Sequence, residues 1–108
     1  MTITRYINII FYDISICNNS DVKEYTRFRK YLLLNGYYQI QESVYACKIS
    51  NKERAMTHRK VITELAPLKS QIRMLLCTKA QFQSMYILSG ELSLHEQILL
   101  NDTMMIEL

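Results

Sequence analysis

Ile3-Thr4-Arg5-Tyr6-Ile7-Asn8-Ile9-Ile10-Phe11-Tyr12 decides how the rest of the chain is read. β-Branched and aromatic residues dominate it, which suits a pleated surface and predicts a strand over 3–12. Side chains alternate across a strand, so Ile7, Ile9 and Phe11 share one face and Tyr6, Ile10 and Tyr12 the other. Both faces are apolar, as in a central strand covered on both sides. The run stops at Asp13, and Cys17-Asn18-Asn19-Ser20 then supplies a polar break with helix-capping side chains.

Downstream, Val22, Tyr25, Phe28 and Leu32 recur at helical spacing and predict an inward face for a helix over 21–35, ended by Asn35-Gly36. Residues 37–41 and 43–49 read as strands, either a tight hairpin or one bent strand. Ser50-x-x-Glu53 has the form of a capping box and starts a second helix at 51, with Ala55, His58, Ile62 and Leu65 inward and Pro67 after its end. Residues 70–78 read as a strand. A short helix is expected over 80–88 with Phe82, Met85 and Tyr86 inward, stopped by Gly90; then a loop over 91–97 and a last strand over 103–108.

The order β-α-β-β-α-β predicts an α+β, ferredoxin-like fold, with a C-terminal short helix and an extra strand. Right-handed crossovers put both long helices on one face of the sheet. The other face is apolar along the first strand, and a second copy of the chain is expected to cover it.

A length of 108 residues bounds this to a single domain over 1–108. An apolar share of 49% with 21% charged residues gives a foldable chain, and only 2 Gly and 1 Pro exclude linkers and low-complexity tails. Cys17, Cys47 and Cys77 form no C-x-x-C and are expected to be buried thiols, as suits a reducing, cytoplasmic location. No uninterrupted apolar run approaches the roughly 20 residues a membrane span needs. All 13 Lys and Arg precede residue 80 and share that part with 6 acids, a balance of +7, whereas 80–108 holds 4 acids and no Lys or Arg. A basic body with an acidic tail points to a polyanion surface beside a segment that faces protein, in dimer exchange or partner docking.

Asp13 closes an apolar strand, so it is either a turn aspartate or a metal ligand. Mg2+ wants one or two carboxylates with waters or phosphate oxygens, and a two-fold dimer could supply two copies of Asp13. Such an ion could activate water for phosphodiester hydrolysis. Lys23, Arg27 and Lys30 form a basic stripe on the first helix, flanked by Arg29, and Lys52, Arg59 and Lys60 extend the positive field on the second. They are either a solvated helix surface or phosphate-tracking cations. No aromatics interleave with them, which favours backbone contact over base stacking. His58 reads as a packed histidine and His95 as isolated in a loop; no P-loop, G-x-G-x-x-G or G-x-S-x-G is present.

Ile10-Phe11-Tyr12-Asp13-Ile14, Tyr25-x-Arg27-Phe28-Arg29-Lys30-x-Leu32-Leu33, Gly36-Tyr37 and Gln41-x-Ser43-Val44-Tyr45 together resemble the small CRISPR adaptation protein family, Cas-two. Thr78-x-x-Gln81-Phe82 and Gly90-Glu91 resemble its branch beside type II RNA-guided nucleases. The resemblance implies a homodimer packed through its sheets, with Asp13 as the catalytic, metal-binding aspartate for Mg2+ (or Mn2+) and the helix-1 arginines contacting nucleic acid. It further implies a last strand that adds to the partner subunit's sheet and docks the CRISPR integrase subunit, Cas-one. Two roles follow for antiviral spacer acquisition: a bridge holding duplex prespacer DNA between integrase dimers, or a metal-dependent endonuclease, with RNA as the other candidate substrate. A ferredoxin-like RNA-binding or ligand-sensing module is the alternative outside that family; an RNA reader would carry exposed strand aromatics in a glycine-rich signature, absent here.

Overall fold

The structure is a computed structural model and describes residues 5–100. Its elements are β1 (Tyr6–Ile14), α1 (Asn19–Leu34), β2 (Tyr38–Gln41), β3 (Val44–Ile49), α2 (Lys52–Leu65), β4 (Ser70–Thr78), α3 (Lys79–Gln83) and α4 (Leu94–Leu100). The strands form one sheet in the order β2-β3-β1-β4, antiparallel throughout. This is the ferredoxin-like α+β arrangement, with β1 central as its two apolar faces require. The expected last strand over 103–108 lies outside the described residues.

The helix side of the sheet holds the larger core. Ile10, Tyr12, Tyr45, Cys47 and Ile49 meet Phe28 and Leu32 of α1 and Ala55 and Ile62 of α2. Asn18 caps α1 by accepting from the Asp21 amide. At the other end Gly36 takes φ +86, and the Tyr37 amide turns back to the Leu32 carbonyl at 3.0 Å, closing the helix where the sequence predicts. Val22, expected inward, is 46% exposed; Tyr25, Phe28 and Leu32 suffice to anchor that side.

Between β2 and β3 the chain forms a tight hairpin, resolving that alternative. Ser43 turns the corner with φ +63, and its carbonyl accepts from the Tyr12 amide at 3.0 Å. The cap of α2 is shifted by one residue from the expected capping box. Asn51, not Ser50, accepts from the Arg54 amide at 2.9 Å, because both can cap and the extended backbone at Asn51 puts its side chain in line.

The second face departs furthest from expectation. Ile7, Ile9 and Ala46 are buried there by Phe82 of α3 and Leu99 of α4, so part of the cover comes from the same chain. Burying such side chains contributes about 1.5–3 kcal/mol each. The helix expected over 80–88 ends at Gln83, and Met85 and Tyr86 are exposed instead of inward. The expected loop over 91–97 gives way to α4, whose start is tied by Ser93: its hydroxyl accepts from the Glu96 amide at 3.1 Å while the Glu96 carboxylate accepts from Ser93. From Leu75, the partner of Ile9, onward the same face is open: Phe11, Asp13, Gln71, Arg73 and Leu75 are all exposed.

Candidate nucleic-acid interface and the Asp13 patch

Helix α1 packs through Tyr25, Phe28 and Leu32, which leaves Lys23, Arg27 and Lys30 on the opposite side, two helical turns of exposed cations in line. Its two acids do not join that line. Asp21 is buried, accepting from the Cys17 amide at 2.9 Å and pairing with Lys69 at 3.7 Å, and Glu24 lies on a flank. The exposed line of cations on α1 therefore carries no acid.

Arg29 has a different setting. Its Nε donates to the Tyr45 hydroxyl at 2.8 Å, and Tyr45 is fully buried and stacked on Tyr12 with ring centres 5.5 Å apart. One of its donors thus ties α1 to β3. On α2, Lys52 and Arg59 share a flank and Lys60 points outward, all three exposed. Lys60 shares its outward line with Glu53 and Glu64, so the field of α2 is mixed where that of α1 is not.

Asp13 is the penultimate residue of β1, paired with Gln71 of β4, one residue inside the strand end. Its side chain lies on the open face with Phe11, whose partner on β4 is Arg73. Strand alternation therefore sets Asp13, Gln71, Phe11 and Arg73 side by side in one exposed patch. Among the described residues no group of three His, Cys, Asp or Glu side chains could hold a metal ion. One chain offers Mg2+ a single exposed carboxylate here.

Behind the patch lies a buried polar chain of which the sequence marks only His58. Asn8 is completely buried and donates through Nδ2 to the Tyr37 hydroxyl at 2.8 Å; that hydroxyl lies 2.8 Å from His58 Nδ1. With its oxygen already accepting from Asn8, Tyr37 donates to Nδ1 and leaves the His58 proton on Nε2. Burial, then the nearby Arg54 charge, holds His58 below the ordinary histidine value. Burial likewise raises Tyr37, opposed by the Asn8 hydrogen bond, and pushes the Cys47 thiol up to about 11. His58 is thus a packed histidine, as expected. His95 lies on α4, not in a loop, with Nδ1 3.4 Å from the Gln39 carbonyl and its ring on Tyr38. Of the three thiols only Cys47 is fully buried; Cys17 is exposed and Cys77 half-buried, contrary to expectation, because the break after β1 carries Cys17 off the core.

The family model for CRISPR associated protein Cas2, the Cas-two family, matches residues 5–85. The chain belongs to this family. Among its relatives is the CRISPR-associated endoribonuclease Cas2 of Acidovorax ebreus, 34% identical over 82 residues that cover 76% of this chain and 80% of that protein. The protein of that name from Ligilactobacillus salivarius is 34% identical over 83 residues, covering 77% of this chain and 82% of its own. The crystal structure of Streptococcus pyogenes Cas2 at pH 6.5 has the same fold, with a TM-score of 0.57 at 19% identity, over 77% of this chain and 99% of that one. The Cas2 match ends at residue 85, so the exposed segment 86–92 and α4 lie beyond it. No helix among the described residues is long and apolar enough to cross a membrane.

Proposed function

We propose that this Cas2-family chain acts in CRISPR spacer acquisition as a homodimer that binds duplex prespacer DNA through α1 and bridges Cas-one integrase subunits. The observation that supports this reading most directly is the stripe Lys23, Arg27 and Lys30, set opposite the core with no acid in line. Lys52, Arg59 and Lys60 add to the field from α2, and Arg29 serves mainly to brace α1 against Tyr45. Cations of this kind neutralise phosphates and read no bases, which suits a protein that must accept any captured sequence. The acidic segment beyond residue 80 is repelled by phosphates and is assigned to protein contacts.

A second reading is favoured by the name of the relatives, endoribonuclease. It places Mg2+ (or Mn2+) at Asp13 and cleaves RNA or DNA. Among the described residues no group of three His, Cys, Asp or Glu gathers at Asp13, so the chain offers the ion a carboxylate and not a closed site. A second copy would bring a second Asp13 carboxylate, within the one or two that Mg2+ takes. The ligand-sensing alternative is not carried further, because the chain is a Cas2-family member.

The test is duplex binding against salt. Binding is expected to weaken steeply as salt rises. Arg27→Ala or Lys30→Ala is expected to make the slope shallower by about one unit, as one phosphate fewer is neutralised. An affinity indifferent to salt would sink the DNA reading.

A further inference from the structure

We infer that Arg73 is the cation that neutralises Asp13 when two copies of the chain meet through the open part of the sheet, each Arg73 facing the other copy's Asp13. The inference rests on the homodimer reading and gives it a specific contact. Four observations carry it. Arg73 pairs with Phe11 and Gln71 with Asp13, so acid and base occupy diagonal corners of one patch on the same face. All four side chains are exposed. Among the described residues neither charge has an ion-pair partner within its own chain. Finally, α3 and α4 close the Ile7–Ile9 half of the face, leaving this patch, with Phe11 at 39% and Leu75 at 52% exposure beside it, as the seat for another copy.

A two-fold interface brings a patch against itself, so whatever residue i meets in the partner, that residue meets i in return. A patch of one acid alone would then set like charges together in a drying interface, and would need a metal ion or a shared proton. A patch of one acid and one base is self-complementary. A two-fold axis that crosses the Asp13–Arg73 diagonal at right angles lays Arg73 on Asp13 twice, and the four charges sum to zero. Phe11 and Leu75 supply the apolar contact, and the charges fix the register. The guanidinium thus takes the place of a divalent ion at this surface, and dimerisation needs no metal.

The occupant is a second copy because the charge pattern complements itself. A strongly acidic or basic partner would match only one corner. Asp13→Arg, Arg73→Asp and the double variant test this, with dimer dissociation measured by analytical ultracentrifugation in EDTA and in Mg2+. The substituted positions are exposed, and thermal melts confirm folding. The wild-type dimer is expected to persist in EDTA. Each single reversal is expected to weaken it at least about tenfold, and the double reversal to recover most of the affinity. Additive weakening in the double variant, or a dimer that forms only with Mg2+, overturns the pairing and leaves the homodimer standing. A wild-type chain that stays monomeric removes the homodimer reading and this inference with it.

Discussion

Asn8, Tyr37 and His58 are the residues whose chemistry most exceeds their prominence in the sequence. Asn8 interrupts the apolar run of β1, and its Oδ1 is buried without a partner. An orphaned acceptor of that kind costs about 1–3 kcal/mol, while Nδ2 is used to orient the Tyr37 hydroxyl toward His58. A protonated His58 would turn its Nδ1 from acceptor to donor against a hydroxyl that already has a donor. The folded state therefore binds the proton less readily than the unfolded chain, in keeping with the lowered His58 value. The associated stability is fully present above about 6.5, the unfolded histidine value, and is lost as pH falls toward the depressed folded one. Thermal melts between pH 7.5 and 5.5 should show the wild type losing stability toward acid. His58→Gln should flatten that dependence, and parallel curves would show that His58 does not carry it. Only the packed His58 of this polar chain is legible from one sequence, because its members lie 29 and 21 residues apart. Arg29 is a similar case. In sequence it is one more cation beside a basic stripe, and only the fold brings it to Tyr45.

At the scale of elements, local signals are legible where one residue type has one use. Gly36 ends α1 because a left-handed residue is needed there, and β4 spans the expected 70–78 because its alternation is unbroken. Where two residues compete, the sequence is ambiguous. Ser50 and Asn51 can each cap α2, and the backbone selects Asn51. Asn51→Ala is accordingly expected to cost about 1 kcal/mol in a denaturant titration, and Ser50→Ala little. The reverse order would restore the Ser50 capping box. Helix α4 opens on an exposed Leu94 and buries Leu99, so its apolar residues do not fall on one face and periodicity does not reveal it. Its signal is Ser93-x-x-Glu96, the same pattern that misleads at residue 50 and that closes here. The basic stripe of α1 is legible because helical spacing alone places it, whereas the Asp13 patch needs the β1–β4 register.

For the molecule as a whole, the uneven charge of the sequence matches an uneven sheet. One face carries the two long helices with their cations; the other is shared between the chain's own C-terminal helices and an exposed patch that holds Asp13 and Arg73. A dimer built on that patch offers Asp13 either the partner's guanidinium or a metal ion, so the metal reading is tested on the assembled species. Asp13→Asn is expected to abolish any Mg2+-dependent cleavage of RNA or DNA seen in a gel assay while leaving the α1 salt slope unchanged. Cleavage that survives would remove Asp13 from the reaction. The fold, the central strand and the need for a covered second face are legible in composition and alternation. How that cover is divided is not, because Phe82 and Leu99 reach β1 only through the tertiary path of the tail.

That path has a consequence for how the tail holds its place. The described part of α4, residues 94–100, makes few internal hydrogen bonds and gains most from the surface it packs on. Its seat is chiefly over β2 and β3, where Leu99 and Leu100 join Ala46, Tyr38, Ile40 and Val44, and residues 84–93 tether it there at an effective concentration that a short linker typically raises to the millimolar range. The same tether exposes Tyr86 at 92% and Leu88 at 95%. Lengthening it dilutes α4 at its own site, and severing it turns an intramolecular lock into a weak bimolecular encounter. The linker, which carries no chemistry of its own, thereby sets how firmly one half of the sheet stays shut.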